Sequence, residues 1–172
     1  MAKEVFWCSS CLNMSTRPRI TFDQEGRCNA CQWSDEKKTF NWKEREEELK
    51  KNLKKYTNAS DNYKVIVPVS GGKDGSYIAH KLKSDYGVEP LCVTVRPPLE
   101  TKIGQENVYN FVSSGFSHVH VSPDEEAMAA LNKYGFIEKG FPYYGWLICI
   151  HTAVLQIAVS YTHLRAHETE LH

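Results

Sequence analysis

Apolar positions along this 172-residue chain gather in short blocks whose period changes from place to place. Tyr63-Lys64-Val65-Ile66-Val67-Pro68-Val69 is short and β-branched, the pattern of a buried parallel strand, with Pro68 near its end where a ladder donor can be spared. Residues 77–83 then read as a helix with Ile78 and Leu82 on one face. Downstream, the pattern predicts a strand over 90–95, a helix over 104–115, a strand over 118–121 and a helix over 144–159. Strands alternating with helices predict an α/β fold whose parallel strands are joined by right-handed crossovers. Upstream, residues 42–56 read as a connecting helix. Leu49, Leu53 and Tyr56 form its narrow apolar stripe, and Glu46/Lys50 and Glu47/Lys51 are i,i+4 pairs. Residues 57–62 have linker composition, which places a domain boundary there.

Charge adds exclusions rather than chemistry. With 21 basic and 21 acidic side chains the chain is formally neutral, which argues against a nucleic-acid partner. Arg17, Arg19, Arg27, Lys37 and Lys38 lie close together in sequence, and such charges usually form a solvated surface. No apolar run is expected to cross a membrane, and no signal-like segment follows Met1, so a cytoplasmic, reducing location is expected. Asn58-Ala59-Ser60 is then an incidental glycosylation triplet.

Cysteines change the picture at the N-terminus. Cys8-Ser9-Ser10-Cys11 and Cys28-Asn29-Ala30-Cys31 are two Cys-x-x-Cys knuckles separated by sixteen residues, within the range for one tetrahedral Zn²⁺ held by four thiolates. Between them, residues 19–22 read as a strand and 23–26 as the turn that returns the chain. So small a segment buries too little apolar surface to fold alone, and a structural zinc would supply about 10–16 kcal/mol. A disulfide pair or a redox pair is the competing reading. Cys92 and Cys149 lie in apolar surroundings and read as buried small hydrophobes.

Candidate chemistry concentrates where the first strand ends. Ser70-Gly71-Gly72-Lys73-Asp74-Gly75-Ser76 joins a strand to a helix N-terminus, where backbone N–H groups and the helix dipole converge on an anion. Glycines let the backbone approach, Ser70 and Ser76 offer hydroxyls and Lys73 a charge. Val67 and Asp74 exclude a Walker A loop. The segment resembles the Ser-Gly-Gly-x-Asp-Ser signature of the PP-loop ATP pyrophosphatases, departing at Gly75, with Ser76 next to it. The resemblance implies an adenine nucleotide alpha hydrolase-like fold, ATP as cosubstrate and Mg²⁺ sharing the phosphate charge. On it, Ser70 to Ser76 bind the nucleotide, and Lys73 and Asp74 are the catalytic candidates, with a helix-capping carboxylate as the plainer role for Asp74. Thr94, Val95 and Arg96, at the end of the second strand, are candidates for the adenosine side, because ligands of open parallel sheets lie beyond the carboxyl ends of the strands. His118 and His120 share no evident partner and are not read as metal ligands.

Ribbon and loop together, with residues 90–95, Asn107, Asn110-Phe111 and Ser114-Gly115-Phe116, are similar to the N-acetyl sugar amidotransferases of bacterial surface-polysaccharide synthesis. That resemblance implies a nucleotide-linked N-acetyl sugar as substrate, conversion of its acetamido group to an acetamidino group, and a glutaminase partner delivering ammonia. Arg96, Glu100 and the aromatic segment 141–146 are candidates for the sugar pocket, although such aromatics are more often core. Rival readings are a zinc-ribbon PP-loop enzyme that thiolates tRNA, which would need a sulfur-handling cysteine, and a non-catalytic zinc-ribbon interaction module. The expected organisation is a ribbon over 1–40, a connecting helix and linker over 41–62, and a partial PP-loop domain over 63–159. Residues 160–172 look like translated adaptor sequence, and the chain as it stands is expected to be unstable or inactive.

Overall fold

The computed structural model describes residues 4–57, 63 and 65–162, so the linker at 58–62 and all but the first residues of the 160–172 tail lie outside the described residues. Its elements are α1 (Asn29–Thr39), α2 (Trp42–Thr57), β1 (Ile66–Pro68), α3 (Lys73–Tyr86), β2 (Leu91–Val95), α4 (Lys102–Ser113), β3 (Ser117–Val121), α5 (Glu125–Lys139) and α6 (Tyr144–Thr162). Two compact units, Met1–Leu49 and Lys50–His172, divide the chain inside α2.

In the N-terminal unit, two isolated antiparallel bridges, Trp7 with Met14 and Phe22 with Cys28, frame the two knuckles. The strand expected over 19–22 does not form. Pro18 lacks a backbone donor, and Arg19 takes a left-handed conformation with φ 62°, its carbonyl held by Asn29 Nδ2 at 3.3 Å. The turn over 23–26 does form, closed by the Gly26 N–H on the Asp23 carbonyl at 3.1 Å. Periodicity leaves α1 unassigned for a physical reason: none of its residues is buried, so no apolar stripe marks it.

The second unit is built on a parallel sheet in the order β1-β2-β3. Its register aligns Val67 with Cys92 and Cys92 with His118, and also Thr94 with His120, which puts these side chains on one face. On that face Val67, Val69 and Cys92 pack with Ala79 and Leu82 of α3, and Phe111 of α4 stacks on Phe116 at 4.6 Å beside them. With α3 and α4 there, α6, which packs against β2 and β1, lies on the face of the buried Val93 and Val95.

The predicted helices are present, but their ends differ. The third helix begins at Lys73 rather than 77, since the glycines of the loop are followed at once by helical turns. The last helix runs to Thr162 rather than 159, because nothing in Ser160-Tyr161-Thr162 breaks it. Unassigned by the hydrophobic pattern, α5 starts at Asp124, whose carboxylate accepts from the Ala127 N–H at 2.7 Å, and stops at Gly140 in the left-handed region. The expectation that no segment is long and apolar enough to cross a membrane is corrected at α6. Its window Tyr144–Tyr161 has a mean hydropathy of 1.3, His151 and Gln156 interrupting the apolar residues without bringing the average down. By length and composition alone it would span, a test that helices of soluble domains also meet, and it packs here against α5 and the sheet.

Candidate functional site

Four thiols meet in the N-terminal unit. The sulfurs of Cys8, Cys11, Cys28 and Cys31 all lie within 4.8 Å of one another. Across the knuckles, Cys8 Sγ lies 3.8 Å from Cys31 Sγ and Cys11 Sγ 3.7 Å from Cys28 Sγ. A tetrahedral Zn²⁺ with bonds of about 2.3 Å requires sulfur–sulfur edges of about 3.8 Å, so the donor set fits zinc in both type and size. Backbone donors surround it: the Cys28 N–H reaches Cys8 Sγ at 3.1 Å and the Ser10 N–H at 3.4 Å. Burial pushes the Cys8 thiol up, but these N–H groups outweigh it and hold it below its ordinary value. The Asn13 amide, then the Cys31 backbone, brings Cys28 down to about 6, while sharing a proton with Cys11 pushes Cys31 up to about 12. A cluster that keeps protons between its sulfurs exchanges them for a cation.

The glycine-rich segment forms a strand–turn–helix unit. Gly71 takes φ 74°, and a Cβ there would lie 2.9 Å from Asn107 Cβ, so the turn is pressed against α4. Helix α3 is capped by Gly72 with no side-chain cap bond, which leaves its first N–H groups open to an anion, and Asp74 is the acidic residue of its first turn. Lys73 and Asp74 are the first two residues of α3 and are exposed. Gly75 occupies a position with no space for a side chain: a Cβ would lie 2.6 Å from the Pro68 carbonyl oxygen and 3.2 Å from Val69 Cα. Ser76 donates its hydroxyl back to the Gly72 carbonyl at 2.8 Å.

Between α4 and the β2–β3 face of the sheet, reaching the end of β2 at Val95, lies a cavity of about 570 Å³. Ser70, Thr94 and Val95 share its wall with Glu100, His118 and Trp146. Thus three of the expected nucleotide residues come together, while among the described residues neither Lys73 nor Asp74 reaches this wall. Arg96 is not part of this wall but pairs with Glu100, which is, at 3.5 Å, and with Glu125 at 3.1 Å. Of the aromatic segment 141–146, Trp146 contributes, whereas Phe141 and Tyr143 are exposed elsewhere. His118 and His120, without a partner for a metal in the sequence, line this cavity instead. Their alternation on β3, read with the register to Cys92 and Thr94, is the signal that puts them on the cavity side. Burial, with His120 adding repulsion, lowers the pKa of His118, which favours its neutral form.

No protein-family model and no curated protein matches this chain. Among solved structures, the crystal structure of a predicted subunit of tRNA methyltransferase from Methanocaldococcus jannaschii is similar over 55% of this chain at 28% identity, with a TM-score of 0.40. The match covers 48% of that protein's length. The structure itself defines the class: an α/β chain with a three-stranded parallel sheet and an N-terminal four-cysteine cluster that can hold zinc.

Proposed function

We propose that this chain carries the ATP-binding part of an N-acetyl sugar amidotransferase of the PP-loop class, cytoplasmic and supplied with ammonia by a glutaminase partner. The observation that carries this reading is the turn at Ser70 to Gly72, between β1 and the open N-terminus of α3, with Ser70 on the wall of a cavity large enough for a nucleotide. In the reaction the acetamido oxygen attacks the α-phosphorus of ATP, and the bond to pyrophosphate breaks. Ammonia then adds to the amide carbon, the C–O bond breaks, AMP leaves and the nitrogen gives up a proton. The loop amides, Ser70 and Lys73 bind and neutralise the departing pyrophosphate, which stabilises charge as it develops. Asp74, exposed in the first turn of α3, is the carboxylate that would hold Mg²⁺, which would share that charge. Zinc in the cysteine cluster would be structural.

The thiolation alternative needs a reactive sulfur. Cys92 does not supply one: burial first, then Glu89, pushes its thiol up to about 11, and it is fully enclosed. Cys149, half-buried rather than buried as expected, stands alone with no Cys-x-x-Cys near it. The test is incubation of the chain with ATP, Mg²⁺, ammonium and a panel of nucleotide-linked acetamido sugars. Sugar-dependent release of pyrophosphate and AMP is expected from the chain or, if it needs further segments, from a longer form that contains it. Pyrophosphate at the background level in both would sink the reading.

A further inference from the structure

Two side chains from different strands converge on the backbone immediately before the phosphate turn. The Thr94 hydroxyl lies 2.8 Å from the Val69 carbonyl oxygen, and His118 Nε2 lies 2.8 Å from the same hydroxyl oxygen. A carbonyl can only accept, so the single hydroxyl proton goes to Val69, and Thr94 Oγ1 must accept from His118. His118 is thereby assigned as the Nε2–H tautomer. Thr94 is buried, so neither bond is exchanged freely for water. The Val69 N–H is also held, by the Val93 carbonyl at 2.9 Å. Both backbone groups of the residue preceding Ser70 are therefore fixed by β2, one through a ladder-type bond any residue could make, the other through a hydroxyl that β3 orients.

We propose that Thr94 and His118 form a positioning relay, His118 to Thr94 to the Val69 carbonyl, that sets the direction in which the chain enters the Ser70–Gly72 turn and so keeps its amides convergent on a polyphosphate. This rests on the nucleotide reading of the turn. It gives Thr94 a different task from donating to adenosine, since the one proton of its hydroxyl is committed to the Val69 carbonyl. His118, which the hydrophobic pattern does not connect with the turn at all, becomes part of the same device. On this view the relay acts on phosphate through the backbone and never touches the leaving group.

The probe is inorganic pyrophosphate with Mg²⁺, and ATP in parallel, titrated calorimetrically into the 172-residue chain at a temperature where circular dichroism shows each variant folded. Thr94→Val keeps the shape and deletes the hydroxyl, and a loss of affinity of about tenfold is expected, whereas Thr94→Ser stays within about threefold of the parent. His118→Gln, whose amide nitrogen falls near the position of Nε2, is expected to retain most of the affinity that His118→Leu loses. A merely structural role predicts that affinity follows thermal stability, with no rescue by the hydroxyl or the amide. If Thr94→Val binds pyrophosphate like the parent, or Thr94→Ser is as weak as Thr94→Val, the relay is overturned and the turn's reading stands. A parent chain that binds neither probe overturns both. Should Thr94→Val fail to fold, imidazole ¹⁵N shifts of the parent decide: the Nε2–H tautomer at His118 supports the relay, and the Nδ1–H tautomer refutes it.

Discussion

Asn13 has only one way to face its neighbours. Arg17 can only donate, and its Nη1 sits 2.8 Å from Asn13 Oδ1, so the amide nitrogen is turned to Cys28 Sγ, 3.5 Å away. Two residues outside the donor set thus make two linked contacts behind one sulfur. Groups in this position orient a ligand and spread its charge, and their loss typically costs about 10–100-fold in metal affinity. Asn13→Ala is therefore expected to weaken zinc binding about tenfold, and Asn13→Asp more, because a carboxylate repels the thiolate it would face. Competition against a chromophoric chelator reads both values. Equal affinity in parent and Asn13→Ala would show that the backbone N–H groups suffice. Nothing in the sequence marked Asn13 beyond its place near a turn, since its role depends on a side-chain orientation that spacing does not encode.

Helix α3 lies so close to the end of β1 because residue 75 has no side chain. Replacing Gly75 by Ala would gain about 1 kcal/mol of helix propensity. It would also place a methyl 2.6 Å from the Pro68 carbonyl, and both nearest contacts are backbone, which cannot rotate away. Overpacking of this kind costs about 1–3 kcal/mol, and the displacement falls on the phosphate turn, so Gly75→Ala is expected to lower the melting temperature by a few degrees. A melting temperature that rises instead would show that α3 shifts without cost. The serine that the resembled signature carries here meets the same obstacle. Gly135 and Gly145 make a second such contact, between α5 and α6, where added Cβ atoms would lie 2.1 Å from Tyr144 Cβ and 2.6 Å from Leu131 Cβ. How legible an element was in the sequence followed from its pattern. The first two strands carry dense β-branched or apolar runs, β3 alternates valine with histidine, and all three could be read; α1 has no apolar stripe and could not. For α5 the signals were caps rather than periodicity, Asp124 at one end and Gly140 at the other, so a reading by hydrophobic spacing passes over it. The turn was legible from its glycines. The cavity beside it was not, because it needs α4, β3 and α6 brought together.

Across the whole chain, the two units draw their stability from different sources. The N-terminal unit has Cys8 and Cys28 as its buried residues among those described, whereas the second has a contiguous apolar core around Val67, Ala79 and Cys92. A metal worth about 10–16 kcal/mol in isolated fingers would dominate the first and leave the second untouched. Removing zinc with a chelator under reducing conditions is therefore expected to abolish amide protection in the N-terminal unit and preserve it in β2, as followed by hydrogen exchange. Parallel loss of protection in β2 would contradict the division. The order of the strands has one more consequence. Because β1, β2 and β3 lie side by side in the order in which they are linked, a ribosome delivers each strand next to the one already in place, and the sheet grows at a single advancing edge. No early strand waits for a distant partner. Val69, Thr94 and His118 emerge in that same order, so the relay can close as soon as β3 docks, before Trp146, the far wall of the cavity, has emerged.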